Sequence, residues 1–348
     1  LPALIAIFML FAIDTLSSIN PSIIESIRLK YFISLIDTAL PLASILLVSL
    51  FASMMKFIKK FNYSLLIRRL FDGRLSPEEI KKLQKKTESF KLNGETRKLT
   101  VLCCSIQGFT ISSEQCLIDP QLTIVLINKF LSAMSAIIMQ NRGMVDKFSE
   151  NHLIAVFNAP IEIEHQQDSA IKSAVGMLNK LKDLNNELKK ENIPPINISI
   201  GVTTGDAVAG NMKGIGYIDY SFFGDVINLS TEFKDYADDY GVRILLDHQT
   251  VSALGKEWIV IELDYIEIKD KIEKIQIFTI YSYTGVNRPQ QVQTAIAQHE
   301  KFLEAYRSQR WDRALILGKS LTSAWNSELK NYYKMMIKRI EHLQKYPM

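Results

Sequence analysis

The sequence is poor in most of the features that would place it quickly. Cysteine occurs three times in 348 residues, and two of the three, Cys103 and Cys104, are adjacent inside an apolar β-like run. That pattern excludes a disulfide framework and lacks metal-ligand spacing, so the thiols read as core residues in a reducing compartment. Charge of one sign is also scarce: 41 basic against 37 acidic residues leave a net +4, with no long basic run and no interleaving of basic and aromatic residues. Nucleic acid is therefore not an expected partner. No basic segment precedes the apolar stretch that opens at Leu1. It is expected to be the remainder of a membrane region with more chain upstream, not a signal peptide.

Hydrophobic residues are plentiful, at 47%, and the chain is long enough for two or three structural units. Residues 1–60 carry two apolar stretches. The first, Leu1 to Ile13, is stopped by Asp14; the second, "ALPLASILLVSLFASMM" from Ala39 to Met55, has no charge and extends back through "YFISLIDT". From Tyr31 to Met55 it exceeds the ~20 residues that cross a bilayer core. Lys56, Lys59, Lys60, Arg68 and Arg69 follow it, as on a cytoplasmic flank. A buried helix of a soluble domain is the competing reading, and Asp37 and Pro41 favour it. The membrane reading is preferred, with the remainder of the chain in the cytoplasm of a cell or inner membrane.

Residues 61–96 turn polar and helical, and "SPEE" at Ser76 to Glu79 supplies an N-cap, a first-turn proline and a glutamate three residues after the cap. This is a linker helix. Over residues 97–284 the pattern predicts strands at Val101–Ser105, Met144–Phe148, His152–Phe157, Ile196–Val202, Arg243–Leu246 and Ile275–Tyr281. It predicts helices at Pro120–Gln140 and Gln167–Lys190, the second with Ile171, Ala174, Val175, Leu178 and Leu181 on one face. Alternating strands and helices with a hairpin imply an α/β sandwich with helices on one sheet face. Residues 285–348 are a tail that is helical throughout from Thr294 to Tyr346, in which "FLEAYRSQRWDRALILGKSL" has the small and aromatic spacing of a tetratricopeptide-like helical hairpin. A single hairpin is too little for a solenoid, so it is expected to pack on the main domain or on a partner.

Four stretches in order, "RKLTVLCCSIQGFT" (Arg97 to Thr110), "GMVDKFSENHLIAVFNAP" (Gly143 to Pro160), "ISIGVTTGDAVAGN" (Ile198 to Asn211) and "YIDYSFFGDVINLSTEF" (Tyr217 to Phe233), resemble the class III adenylate/guanylate cyclase domain, in its bacterial membrane-anchored receptor form. The resemblance implies an α+β fold with a ferredoxin-like core, an antiparallel-rich sheet with helices on one face, transmembrane helices before it and the helical tail after it. It also implies head-to-tail pairing of two such domains around a shared cleft. In this family one domain holds Mg²⁺ or Mn²⁺ on two aspartates, and the other reads the base of ATP or GTP and stabilises the transition state.

Carried over residue by residue, the resemblance places Ser105 and Asn151 at the two metal-aspartate positions. Neutral ligands bring no charge to offset desolvation of a hard dication, so no metal is expected on this chain alone. Glu150, beside Asn151, is a substitute ligand only if it can swing in. On the base-reading side Lys147 matches the family lysine and Ser221 the residue paired with it, a combination that implies adenine. Asn228 matches the ribose-orienting asparagine. One turn later Glu232 stands where the family has its transition-state arginine, an anion in place of a cation. Lys269 or Lys271 falls near the triphosphate-binding lysine; late-strand surface lysines serve solubility as readily.

The favoured expectation is a cyclase-homology subunit that dimerises, as a homodimer or with another cyclase domain, and binds ATP without turning over alone. The alternative is an active adenylate cyclase, forming cAMP and pyrophosphate with non-standard metal ligands. A purely structural domain is a third reading, against which the retention of Lys147, Ser221 and Asn228 counts. The diguanylate cyclases share the core but need an acidic Gly-Gly turn, and the sequence has none.

Overall fold

The computed structural model describes residues 21–85, 94–107, 120–149, 152–191, 193–214, 217–268, 274–283, 290–325 and 328–346. The chain divides into two compact units, Leu1–Leu66 and Ile67–Met348.

The first unit is built on helix α1 (Pro21–Phe71, 51 residues), which runs on into the start of the second. Within it Pro41–Phe71 is long and apolar enough to cross a membrane, with a mean hydropathy of 1.9. Ile45, Leu46, Leu47 and Val48 are consecutive and all exposed. At ~100° per residue, four consecutive apolar positions cover every side of the helix, so no single face is reserved for a protein core. The apolar run at Leu1–Ile13 lies outside the described residues. Gln121–Gln140 passes the same length and composition test. Leu126, Phe130, Met134 and Ile138, however, lie four apart and are buried in the main core, so that helix belongs to the globular fold.

In the second unit, helix α2 (Pro77–Lys85) starts as the "SPEE" pattern predicts: the Ser76 hydroxyl accepts from the Glu79 amide at 3.3 Å. Strands β1 (Glu95–Ile106), β2 (Met144–Ser149), β3 (His152–Phe157), β4 (Ile198–Gly214), β5 (Tyr217–Phe223), β6 (Ile244–Asp247), β7 (Trp258–Ile266) and β8 (Ile275–Tyr283) form one sheet. Their order is β2-β3-β1-β4-β6-β8-β7, with β5 pairing on β4. Among the described residues only the β4–β6 pair is parallel, so the sheet is antiparallel-rich as expected. Helices α3 (Pro120–Gln140) and α4 (Gln166–Lys190) match their predicted spans closely.

Alternation along β1 divides the core. Leu102, Cys104 and Ile106 face α3 and α4. On the other face the Cys103 thiol bonds to Thr231 of helix α5 (Asp225–Asp239). Burial pushes the Cys103 thiol up to about 12 and raises the Cys104 thiol well above its ordinary value, so both are inert core groups, as the sequence implied. Helices thus cover both faces of the sheet: the one-face layout describes α3 and α4, and α5 is added on the other side. Gly201 makes that possible. A Cβ there would lie 2.3 Å from the Ser230 carbonyl and 2.6 Å from the Lys234 amide nitrogen, so only glycine lets α5 approach β4 this closely.

Four expectations need revising. The predicted Ile196–Val202 strand is the start of the 17-residue β4. β5 was not anticipated. Neither was β7, because irregularities between Ile259 and Val260 and between Glu262 and Asp264 break its alternation. The tail is three helices, α7 (Gln290–Arg307), α8 (Trp311–Leu321) and α9 (Lys330–Lys345), with α6 (His248–Ser252) a short turn earlier in the chain. The tail packs on the domain: Phe302, Ala314, Tyr332, Tyr333 and Met336 share a core with α5, β7 and β8.

Candidate functional site

Helix α1 ends at Gly73, whose φ of +75° is the left-handed conformation that closes a helix. The Arg74 and Leu75 amides return to the Phe71 carbonyl at 3.0 and 3.1 Å, and the chain turns so that Arg74 meets the sheet. Its guanidinium donates four hydrogen bonds: Nε to the Val145 carbonyl (3.1 Å), Nη2 to Asp146 Oδ1 (2.9 Å) and the Tyr220 carbonyl (3.0 Å), and Nη1 to Asp219 Oδ1 (2.7 Å). The Val145 amide in turn donates to the Arg74 carbonyl at 2.9 Å. One side chain therefore ties β2 to β5.

The local irregularity explains the reach. The β2–β3 register shifts between Val145 and Lys147, leaving Asp146 as the extra residue of a bulge. Asp146 is nearly buried, and burial pushes its carboxyl up, opposed by the Arg74 and Lys147 cations. Asp219 uses its second oxygen, Oδ2, to accept from the Ser221 hydroxyl at 2.9 Å. Lys147 is exposed immediately after Asp146, and Ser221 is half-buried two residues after Asp219. The two strands carrying the expected base-reading pair are thus held by a single guanidinium. Neither Arg74, Asp146 nor Asp219 was singled out from the sequence. The available signal was an aspartate shortly before each base-reading residue, in "VDK" and "IDYS".

Asn228 is exposed and Glu232 half-buried, both on α5, whose other side packs on β4 and β1 through Phe233 and Lys234. Thr203 on β4 donates its hydroxyl to the Val226 carbonyl at 2.8 Å, fixing the first turn of that helix.

Ser105 lies near the end of β1, opposite Ser199 on one side and His152 on the other, and is buried. His152 is the first residue of β3, so Ser105 pairs with the start of that strand. Asn151 and Glu150 themselves, and Lys269 and Lys271, lie outside the described residues. Around Ser105 the sheet end is closed by Gln107, which donates to Ser199 Oγ at 2.7 Å and to Asp238, and accepts from Arg243 at 2.8 Å. Burial pushes the Asp238 carboxyl up, opposed by the Ser199 hydrogen bond and Arg243. Among the described residues no cluster of three histidine, cysteine, aspartate or glutamate side chains could hold a metal. The buried Ser105 hydroxyl brings no charge to offset desolvation of a dication, so this residue fits a divalent metal poorly. Among the described residues no hydrogen bond links Ser105 to Lys147, Ser221 or Asn228.

Comparison with known proteins identifies the family. Residues 93–282 match the profile of the adenylate and guanylate cyclase catalytic domain. An adenylate cyclase of Anabaena cylindrica is 28% identical over 192 residues, which is 53% of this chain and 37% of that protein. Adenylate cyclase 1 of Rhizobium meliloti is 22% identical over 179 residues, covering 51% of this chain and 26% of the relative. The match thus spans just over a third of the first relative's length and about a quarter of the second's. Among solved structures the guanylyl cyclase Cya2 aligns with a TM-score of 0.51 at 24% identity, over 57% of this chain and 96% of that one. The adenylyl cyclase CyaB from P. aeruginosa gives 0.50 at 24% identity, over 57% and 98%. With more than half of its residues inside the matched profile, the chain belongs to the adenylate and guanylate cyclase catalytic domain family.

Proposed function

We propose that this chain is a membrane-anchored cyclase-family subunit in cyclic-nucleotide signalling that binds ATP through its base-reading half-site and forms no product on its own. The observation that carries the reading is the contrast between the two half-sites. Arg74 holds the strands bearing Lys147 and Ser221 together through four hydrogen bonds, whereas Ser105 stands buried where the family places a metal-binding carboxylate. Lys147 and Ser221 read adenine, Asn228 orients the ribose, and Glu232 sets an anion against charge developing on the phosphates. Lys269 or Lys271 reaches the triphosphate. Metal, Mg²⁺ or Mn²⁺, comes with a second cyclase domain whose aspartates complete the cleft.

Dimerisation through the cyclase face is part of the same proposal. Val208 and Phe223 are a directly opposed pair on β4 and β5, and both are exposed, with Met212 further along β4. Three large apolar side chains on one hairpin are an unusual cost for a monomer. Helix α1 is the anchor, with the cyclase domain on the cytoplasmic side.

The test is product formation and nucleotide binding by the full chain in detergent micelles, with Mg²⁺ and separately with Mn²⁺, which tolerates poorer ligand sets. ATP binding without cAMP or cGMP above background is the expected result. Robust cAMP formation by the unmodified chain alone would overturn it and establish an active adenylate cyclase.

A further inference from the structure

We infer that Arg74 and Asp219 are positioning residues that set the purine preference of the site by fixing the direction of the Ser221 hydroxyl. This rests on the reading above, in which Ser221 faces the base. A serine hydroxyl has one proton and can either donate or accept toward a ligand, so by itself it does not tell an amine from a carbonyl. Here the proton has a fixed destination. Asp219 Oδ2 accepts it at 2.9 Å, and a carboxylate has no proton to return. Ser221 is left with lone pairs only, which accept from the 6-amino group of adenine and repel the 6-oxo group of guanine. Sites built on such a hydrogen bond reject the mismatched analogue strongly, because the mismatched pair is left unsatisfied.

Arg74 keeps Asp219 in that role. Its Nη1 occupies Oδ1 at 2.7 Å, so Oδ2 is the oxygen turned to Ser221. The same guanidinium holds the Tyr220 carbonyl, between the two residues, at 3.0 Å. A lysine at this position could not span four acceptors on two strands with a fixed geometry. The residue just beyond the end of the anchor helix thereby sets the polarity of base recognition, although it need not touch the nucleotide.

The sharpest variant is Asp219→Asn. Arg74 still requires an acceptor, which turns the asparagine Oδ1 to the guanidinium and the Nδ2 protons to Ser221. The serine then accepts from Asn and donates to the ligand, so its preference reverses. Calorimetric titration of the full chain in micelles with non-cleavable ATP and GTP analogues and Mg²⁺ reads the effect. The native chain is expected to favour the adenine nucleotide, and Asp219→Asn to move the ratio 10- to 100-fold toward guanine. Ser221→Ala should remove the difference, and Asp219→Asn added to Ser221→Ala should change the ratio no further. A purely structural Asp219 would instead weaken both nucleotides alike, in either background. Thermal melting of each variant confirms folding, and Asp219→Ala, which frees the hydroxyl, should bring the ratio toward one if the asparagine variant misfolds. An unchanged ratio in the Asp219 variants, with Ser221→Ala still losing the preference, overturns this inference alone. A native chain that binds neither nucleotide, or a Ser221→Ala variant with the native preference, overturns the proposed base-reading site and this inference together.

Discussion

The His299 imidazole accepts a hydrogen bond from the Tyr333 hydroxyl at Nδ1, across 2.7 Å. Its Nε2 lies 2.6 Å from the Glu262 carbonyl. A carbonyl can only accept, so Nε2 carries a ring proton, and a ring that stays neutral takes the Tyr333 hydroxyl proton at Nδ1. Trp325 Nε1 donates to the same Tyr333 oxygen at 2.9 Å, completing a one-way chain from the tail to β7. Burial lowers the His299 pKa to about 4. A second ring proton would confront the hydroxyl that now donates to it.

That depression fixes a pH dependence. Below about pH 6.5 the unfolded chain takes up a proton at His299 that the folded chain refuses, so stability falls by about 1.4 kcal/mol per pH unit. The loss stops near pH 4, where the folded form also protonates, at a total of about 3 kcal/mol. Carboxyls raised by burial, Asp146, Asp238 and Asp247, act in the opposite direction. The measurement is therefore the difference in denaturation free energy between the native chain and His299→Gln across pH 4 to 7. A difference that does not vary with pH would contradict the assignment.

Gly201→Ala should cost about 3 kcal/mol or more, because the added carbon meets backbone of α5 at 2.3 and 2.6 Å and cannot be relieved by a rotamer change. Denaturant titration reads it directly. A loss below about 1 kcal/mol would mean that α5 moves freely on the sheet.

On the proposed reading, in which Ser105 and Asn151 stand at the metal positions of both clefts of a homodimer, Glu232→Arg should leave the chain inactive alone. Paired with a complete cyclase domain, the same variant should raise cAMP formation one to three orders of magnitude over the native pairing, if the restored cation recovers about 2 to 4 kcal/mol. Comparing the four preparations settles it, and no gain in the mixed pair would show that the cleft is not assembled as proposed.

The chain should stay in the pellet when membranes are washed with carbonate at high pH, because Leu42–Met55 carries no charge and presents exposed apolar side chains on every side of the helix. Recovery of the intact chain in the supernatant would remove the anchor.

Phe223→Glu should shift sedimentation of the detergent-solubilised chain toward monomer at micromolar concentration, since Phe223 and its partner Val208 stand exposed on the β4–β5 hairpin. An unchanged dimer would put the interface elsewhere.

What was legible beforehand followed physical regularity. The α3 and α4 spans announced themselves through apolar positions at helical spacing, and β1, β2 and β3 through compact apolar runs ending in turns. β7 escaped because two irregularities scramble its alternation. The long β4 escaped because "TTGDAVAGN" mixes glycine, aspartate and alanine, which are poor strand formers held there by pairing on β1 and β5. At the site, Lys147, Ser221 and Asn228 were visible as motif positions. The Arg74 clamp was not, since it joins residues about seventy and one hundred and forty-five positions apart, and only the folded register brings them together.

The tail's attachment to β7 sets an order in time. β7 is the last strand of the sheet, and its outward carbonyls at Glu262 and Leu263 are taken by His299 and by the Tyr332 hydroxyl, the latter at 2.8 Å. Synthesis runs from the N-terminus, so every strand has left the ribosome before either of those capping side chains has. During that interval the newborn domain carries an open edge of the kind that recruits stray strands from neighbouring chains. The final sixty residues act as a closure arriving after the sheet it protects, and a nascent chain cut short before Tyr332 would be left with one of the two carbonyls uncapped.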